Sequence, residues 1–118
     1  MAVQKLAKLF GIVFVLIGIL GFVPDITIGG YLLGVFEVDK LHNFVHLLTG
    51  ILSWYSASSL RNSKLFFKVF GIVYLIVTIL GFTQGGSILG LFMTNLADNI
   101  FHLVITVSAL WAGFLYKE

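Results

Sequence analysis

Between Lys8 and Asp25 the chain carries no ionisable side chain, and Leu9–Val23 consists entirely of Leu, Ile, Val, Phe and Gly. A run of that kind cannot be half-exposed to water as an amphipathic helix would be. It fits the hydrocarbon core of a bilayer, which takes roughly 20 mostly apolar residues, with a range of about 17–25. Three more stretches meet the same test, so the spans read as about 6–23, 41–60, 65–83 and 98–116. Pro24-Asp25 with Gly29-Gly30 separates the first two, and Gln84-Gly85-Gly86-Ser87 separates the last two. Glycine and proline at these points break any continuous helix.

Composition agrees. Charged residues make up only 10% of the chain and hydrophobic ones 59%, whereas soluble domains carry about 25% charged residues. Lipid is the expected solvent. A net charge of +2 with no basic cluster gives no footing for nucleic acid, and the absence of cysteine excludes disulfides, thiolate metal sites and cysteine nucleophiles. Lys5, Lys8 and the apolar run after them also have the outline of a secretory signal peptide. No small-x-small cleavage site follows Val23, and the segment recurs later in the chain, so it is read as a retained span.

That recurrence is an internal duplication. FGIVFVLIGILGF at 10–22 matches FGIVYLIVTILGF at 70–82, and GGYLLGVF at 29–36 matches GGSILGLF at 85–92. The second register continues into the next helix, pairing Asn43 with Asn99, His46 with His102 and Leu47 with Leu103. Each copy holds two spans and therefore inserts in the same orientation. The expected fold is an all-α integral membrane four-helix bundle, one domain over 1–118. It is made of two parallel helix–loop–helix repeats (5–60 and 64–116) about a pseudo-two-fold axis along the membrane normal.

Lys5, Lys8, Arg61, Lys64, Lys68 and Lys117 lie at one set of span ends, and Lys40 alone at the other, with Asp25, Glu37, Asp39 and Asp98. Lys and Arg beside short loops mark the cytoplasmic side. Both termini and the 58–65 loop are expected inside, and the Gly-Gly loops outside. Trp54, Tyr55, Trp111 and Tyr116 then suit the inner headgroup level.

Polar residues concentrate at the outer ends of the second and fourth spans. At helical spacing, Asp39, His42, Asn43 and His46 share one face, and Asn95, Asp98, Asn99 and His102 share its counterpart. Asp39 and Asn95 have the chemistry and position of helix N-caps. The structural reading makes the rest interhelical hydrogen bonds, worth about 0.6 kcal/mol on average in membranes. A ligand reading is also open. His42 and His46, like Asp98 and His102, have the i, i+4 spacing that places two ligands on one metal, and His46 and His102 at one depth could hold a haem iron. His42 has no histidine counterpart, since Asp98 stands at the matching position. A proton or ion path through the same residues is a third reading, because histidine titrates near neutral pH.

The two Gly-Gly-x-Leu/Ile-Leu-Gly-x-Phe segments are too short to span. They are expected to lie across the outer surface as packed caps, Leu and Phe dipping into the interface and the glycines turning the chain. Gly11, Gly18, Gly21, Gly71 and Gly81 let the first and third helices be approached closely, without forming a Gly-x-x-x-Gly pair.

Phe-Gly-Ile-Val at 10–13, Leu-Gly-Phe at 20–22, Leu-Leu-Gly-Val-Phe at 32–36 and His42-Asn43-x-x-His46 together resemble a bacterial family of small four-helix membrane proteins, catalogued as a domain of unknown function. The likeness covers nearly the whole chain, and the second copy departs from it at Asp98. It implies a bacterial cytoplasmic membrane and supplies no activity or catalytic residue. No catalytic constellation is visible, so the leading expectation is a non-enzymatic structural or accessory protein. Its partners would be lipid and another membrane protein or a second copy of itself. No cofactor is expected on that reading, and haem or a divalent metal is the alternative.

Overall fold

Many large apolar side chains in this protein face outward, and a stripe of polar ones faces inward. In the computed structural model, which describes residues 1–118, Leu9, Ile12, Leu16 and Ile19 are exposed along the first helix and Ile72, Ile76 and Ile79 along the third. His42, Asn43, His46, Thr49 and Ser53, a single stripe of the second helix, are buried. A water-soluble domain would reverse this arrangement, since large contiguous apolar surfaces are not left in contact with water.

The chain forms α1 (Ala2–Leu20), three two-residue strands β1 (Thr27–Ile28), β2 (Tyr31–Leu32) and β3 (Phe36–Glu37), α2 (Lys40–Ser56), α3 (Leu60–Gln84), strands β4 (Ser87–Ile88) and β5 (Phe92–Met93), and α4 (Leu96–Leu110). A π-helical turn at Trp111–Leu115 extends α4. It is an all-α membrane bundle of four helices. Three of them are long and apolar enough to cross a bilayer: α1, α3, and α4 with its extension, Leu96–Leu115. The remaining helix, α2, has 17 residues, about 26 Å at 1.5 Å per residue. It is shorter than the apolar stretch 41–60 because Ser56, Ser59 and Ser63 turn the chain. Ser63 Oγ donates to the carbonyls of Ser56 and Ser59, at 3.0 and 2.9 Å, and Ser59 caps α3.

Glycines set the helix pairs. A Cβ on Gly11 would meet Trp54 and the Gly50 carbonyl, one on Gly18 would meet Leu47, and one on Gly21 would meet Asn43. Rising numbers on α1 face falling numbers on α2, so the two run antiparallel in close contact. In the same way Gly71 faces Leu110, Gly81 faces Asn99 and Gly113 faces Lys68, which pairs α3 with α4. The core between the pairs is aromatic. Phe14 and Phe67 are fully buried, and Phe10 meets Phe67 edge-on at 5.1 Å.

The outer loops differ from irregular caps. Gly29 and Gly30, both at positive φ, turn β1 into β2, and the strands pair antiparallel in the order β1-β2-β3, with β4 on β5 in the second loop. The ribbons satisfy much of their own backbone, which an exposed apolar loop near hydrocarbon must do. Leu33 and Leu89 both adopt positive φ, each followed by a glycine that does the same. Both termini lie at the opposite end, where the Glu118 carboxylate accepts from the amides of Ala2 and Val3.

Candidate functional site

The start of α2 is fixed by Asp39. Its Oδ1 accepts from the His42 amide at 2.8 Å, and its Oδ2 accepts from the Met93 amide of the other loop at 2.7 Å. Asn95 does the equivalent for α4. Its Oδ1 accepts from the Asp98 amide at 3.0 Å, and its Nδ2 donates to the Val35 carbonyl at 2.7 Å. Asp98 returns the bond, Oδ2 accepting from the Asn95 amide at 3.0 Å, which completes a capping box. Each cap residue therefore ties its own helix to the opposite loop, holding the first turns of α2 and α4 side by side.

The first two turns of these helices carry the histidines. His42, His46 and His102 are all buried, and each offers a ring nitrogen within 4.8 Å of those offered by the other two. Ring centroids stand 4.4 Å apart for His42 and His46, 5.7 Å for His42 and His102, and 5.9 Å for His46 and His102. None of the six ring nitrogens has a hydrogen-bond partner. The main chain at Glu37 and Met93 lies beside His42 without meeting hydrogen-bond geometry. Around the cluster, Phe14 presents an edge to His46 at 5.5 Å, Tyr74 an edge to His102 at 5.5 Å, and Phe92 stands 5.1 Å from His42.

The other polar residues of the two stripes lie elsewhere. Asn99 Nδ2 donates to the Gly81 carbonyl at 3.0 Å, and Asn43 packs on Gly21. Asp98 serves the capping box and, with His46, lines a separate cavity of about 90 Å³ under the first ribbon, along with Leu32, Phe36 and Phe101. The structure thus brings together three of the eight stripe residues and leaves Asp39, Asn43, Asn95, Asp98 and Asn99 in packing and capping roles.

The profile of the family described as Domain of unknown function (DUF4383) matches residues 4–115. The chain belongs to that family. No curated protein and no solved structure matches it. In this DUF4383 chain two further polar residues, Tyr74 and Thr49, line the same cavity as the histidines. Their hydroxyls are 2.9 Å apart, and Thr49 also donates to the Val45 carbonyl at 2.8 Å, so Tyr74 is the donor between them. Both leave a trace in the sequence. Thr49 continues the α2 stripe three residues beyond His46, and Tyr74 replaces the Phe14 of the first repeat.

Proposed function

We propose that this chain is a membrane-embedded metal-binding module that holds one late first-row transition ion on His42, His46 and His102. The observation that carries the reading is the convergence of six buried, unbonded imidazole nitrogens within a single cluster. A buried polar group left without a partner costs about 1–3 kcal/mol. Three neighbouring side chains that all incur that cost, and make no bond to one another, are accounted for by a shared ligand. Nitrogen–metal bonds of about 2.0–2.1 Å put three ligand atoms roughly 3.5 Å apart, which imidazole rotations reach from the present separation.

Imidazole suits copper, zinc, iron and nickel. Charge favours the monovalent state of copper, because the Born cost of a buried ion rises with the square of its charge and is roughly a quarter that of a divalent ion. The N-termini of α2 and α4 present the positive end of the helix dipole, and the carboxylates of Asp39 and Asp98 at those ends offset it. A haem is disfavoured because His42 sits against both His46 and His102 and the adjoining cavity is only about 100 Å³. Ion permeation is disfavoured because the cluster is backed by the aromatic side chains of Phe14 and Tyr74.

An accessory role in a larger membrane assembly is compatible with this reading, which concerns what the subunit would contribute there. We further place the protein in a bacterial cytoplasmic membrane, as its resemblance to a bacterial family implies, with both termini inside, on the distribution of Lys and Arg. The test is anaerobic titration of nanodisc-reconstituted protein with monovalent copper against a chromogenic chelator. A single ion per chain, lost in His46→Ala and in His102→Ala but kept in Asp98→Asn, is expected. Equal copper retention in all four proteins would refute the assignment.

A further inference from the structure

Resting on that metal reading, we infer that the centre keeps one coordination position open toward the bilayer and takes there a small, uncharged, lipid-soluble ligand of diatomic size. The cavity beside the histidines measures about 100 Å³ and is lined, apart from them, by Val45, Leu48, Phe70, Val73 and Phe92 together with Thr49, Tyr74 and Val77. Liquid water occupies about 30 Å³ per molecule, so the space admits a ligand of two or three heavy atoms on the metal and little more.

Chemistry narrows the class. The only hydroxyls in the lining spend their hydrogens elsewhere, Thr49 on the Val45 carbonyl and Tyr74 on the Thr49 oxygen. A buried water needs two to four polar partners, and an anion, although the bound ion would offset its charge, needs an aqueous path that the apolar lining does not offer. An uncharged diatomic molecule needs neither.

The way in is lateral. Leu48 of α2 and Val73 of α3 line the cavity, yet they are 46% and 43% exposed. The cavity is not closed, and these two side chains, one from each helix, flank its lipid-facing side. The two helices lie at the seam between the closely packed pairs α1–α2 and α3–α4 and touch each other sparingly. Leu48 is eight residues beyond Lys40, about 12 Å along α2, so the mouth opens below the headgroups into hydrocarbon. Lipid-soluble gases concentrate there and hydrated anions do not.

Carbon monoxide is the probe, applied to copper(I)-loaded protein in nanodiscs and read by infrared spectroscopy and stopped-flow mixing. The expected result is one C–O stretching band at one molecule per bound copper, unchanged by iodide, a soft anion that binds monovalent copper from water. Leu48→Trp and Val73→Trp should each slow uptake about tenfold or more with copper content unaltered. Should either lose copper, Leu48→Phe and Val73→Phe, which add less volume, are held to the same kinetic criterion. Copper retained without a carbonyl band overturns the open position alone. Displacement by iodide, or uptake indifferent to the plugs, overturns the lipid route. Failure to hold copper at all removes the metal reading and this inference with it.

Discussion

A neutral imidazole is both donor and acceptor, and His42, His46 and His102 fulfil neither role within the protein. Asn43, Asn99 and Thr94 each leave a buried oxygen unpaired as well, but only the histidines gather theirs in one cluster. Leucine at position 46 would fill similar space without the unmet polar groups, and apolar replacement of unsatisfied buried polar groups is neutral to stabilising. His46→Leu is therefore expected to raise the stability of the metal-free protein by about 1–3 kcal/mol while abolishing copper binding. Thermal unfolding in detergent measures the first effect and chelator competition the second; a lower midpoint in the metal-free protein would show that His46 is a structural hydrogen-bonding residue instead. The i, i+4 spacing of His42 and His46 was legible in the sequence as a candidate ligand pair. Which residue of α4 joins them was not, because Asp98 and His102 show the same spacing. Only the folded chain separates them, by committing Asp98 to the cap of its own helix. Tyr74 was masked as one more aromatic position in an apolar helix. Its difference from Phe14 carries meaning only once α3 is known to pass beside the cluster.

Helix contacts decide how far the site can be moved. Gly50 of α2 lies against α1 so closely that a Cβ would stand 2.7 Å from the Val15 amide and 2.8 Å from the Gly11 carbonyl, both main-chain atoms. Gly50→Ala must therefore push α1 and α2 apart. It is expected to cost about 1–3 kcal/mol, the usual range for overpacking, seen as a lower unfolding midpoint in detergent. An unchanged midpoint would mean that the two helices do not meet there. At the other end of the molecule, Glu118 closes the first turn of α1. Those amide donors, Val3 foremost, hold its carboxyl below the ordinary glutamate range. A depressed folded-state pKa gives a contribution that is present above the unfolded value and lost as pH falls through the folded one. Protection of the Ala2 and Val3 amides, measured as exchange relative to the intrinsic rate at each pH, is accordingly expected to fall on acidification through that range and to be low throughout in Glu118→Gln; pH-independent protection in the wild-type chain would contradict the contact. Helix positions were readable from hydropathy and from the Gly and Pro breaks, and the starts of α2 and α4 from the Asp39 and Asn95 caps, but the other helix ends were not. α1 stops at Leu20 inside an unbroken apolar run because Thr27 Oγ1, from the following loop, takes the Leu20 carbonyl at 2.9 Å. The ribbons escaped notice for a related reason: two-residue strands held by their own pairing leave no alternation long enough to read.

For the whole molecule, an outward-facing apolar surface and an inward-facing polar stripe make the bilayer its solvent, and the tri-histidine cluster is what that arrangement encloses. With no cysteine in the chain, single cysteines report orientation cleanly. Ser59→Cys is expected to react with a membrane-impermeant maleimide only after spheroplasts are opened, and Gly85→Cys from outside; the reverse pattern would invert the topology without touching the site. The most direct test of the central claim is X-ray absorption at the metal edge of copper-loaded protein in nanodiscs. Three imidazole nitrogens at about 2.0 Å are the expected coordination shell, the same in the wild-type chain and in Asp98→Asn. A shell of oxygen ligands, or one holding fewer than three imidazoles, would contradict it.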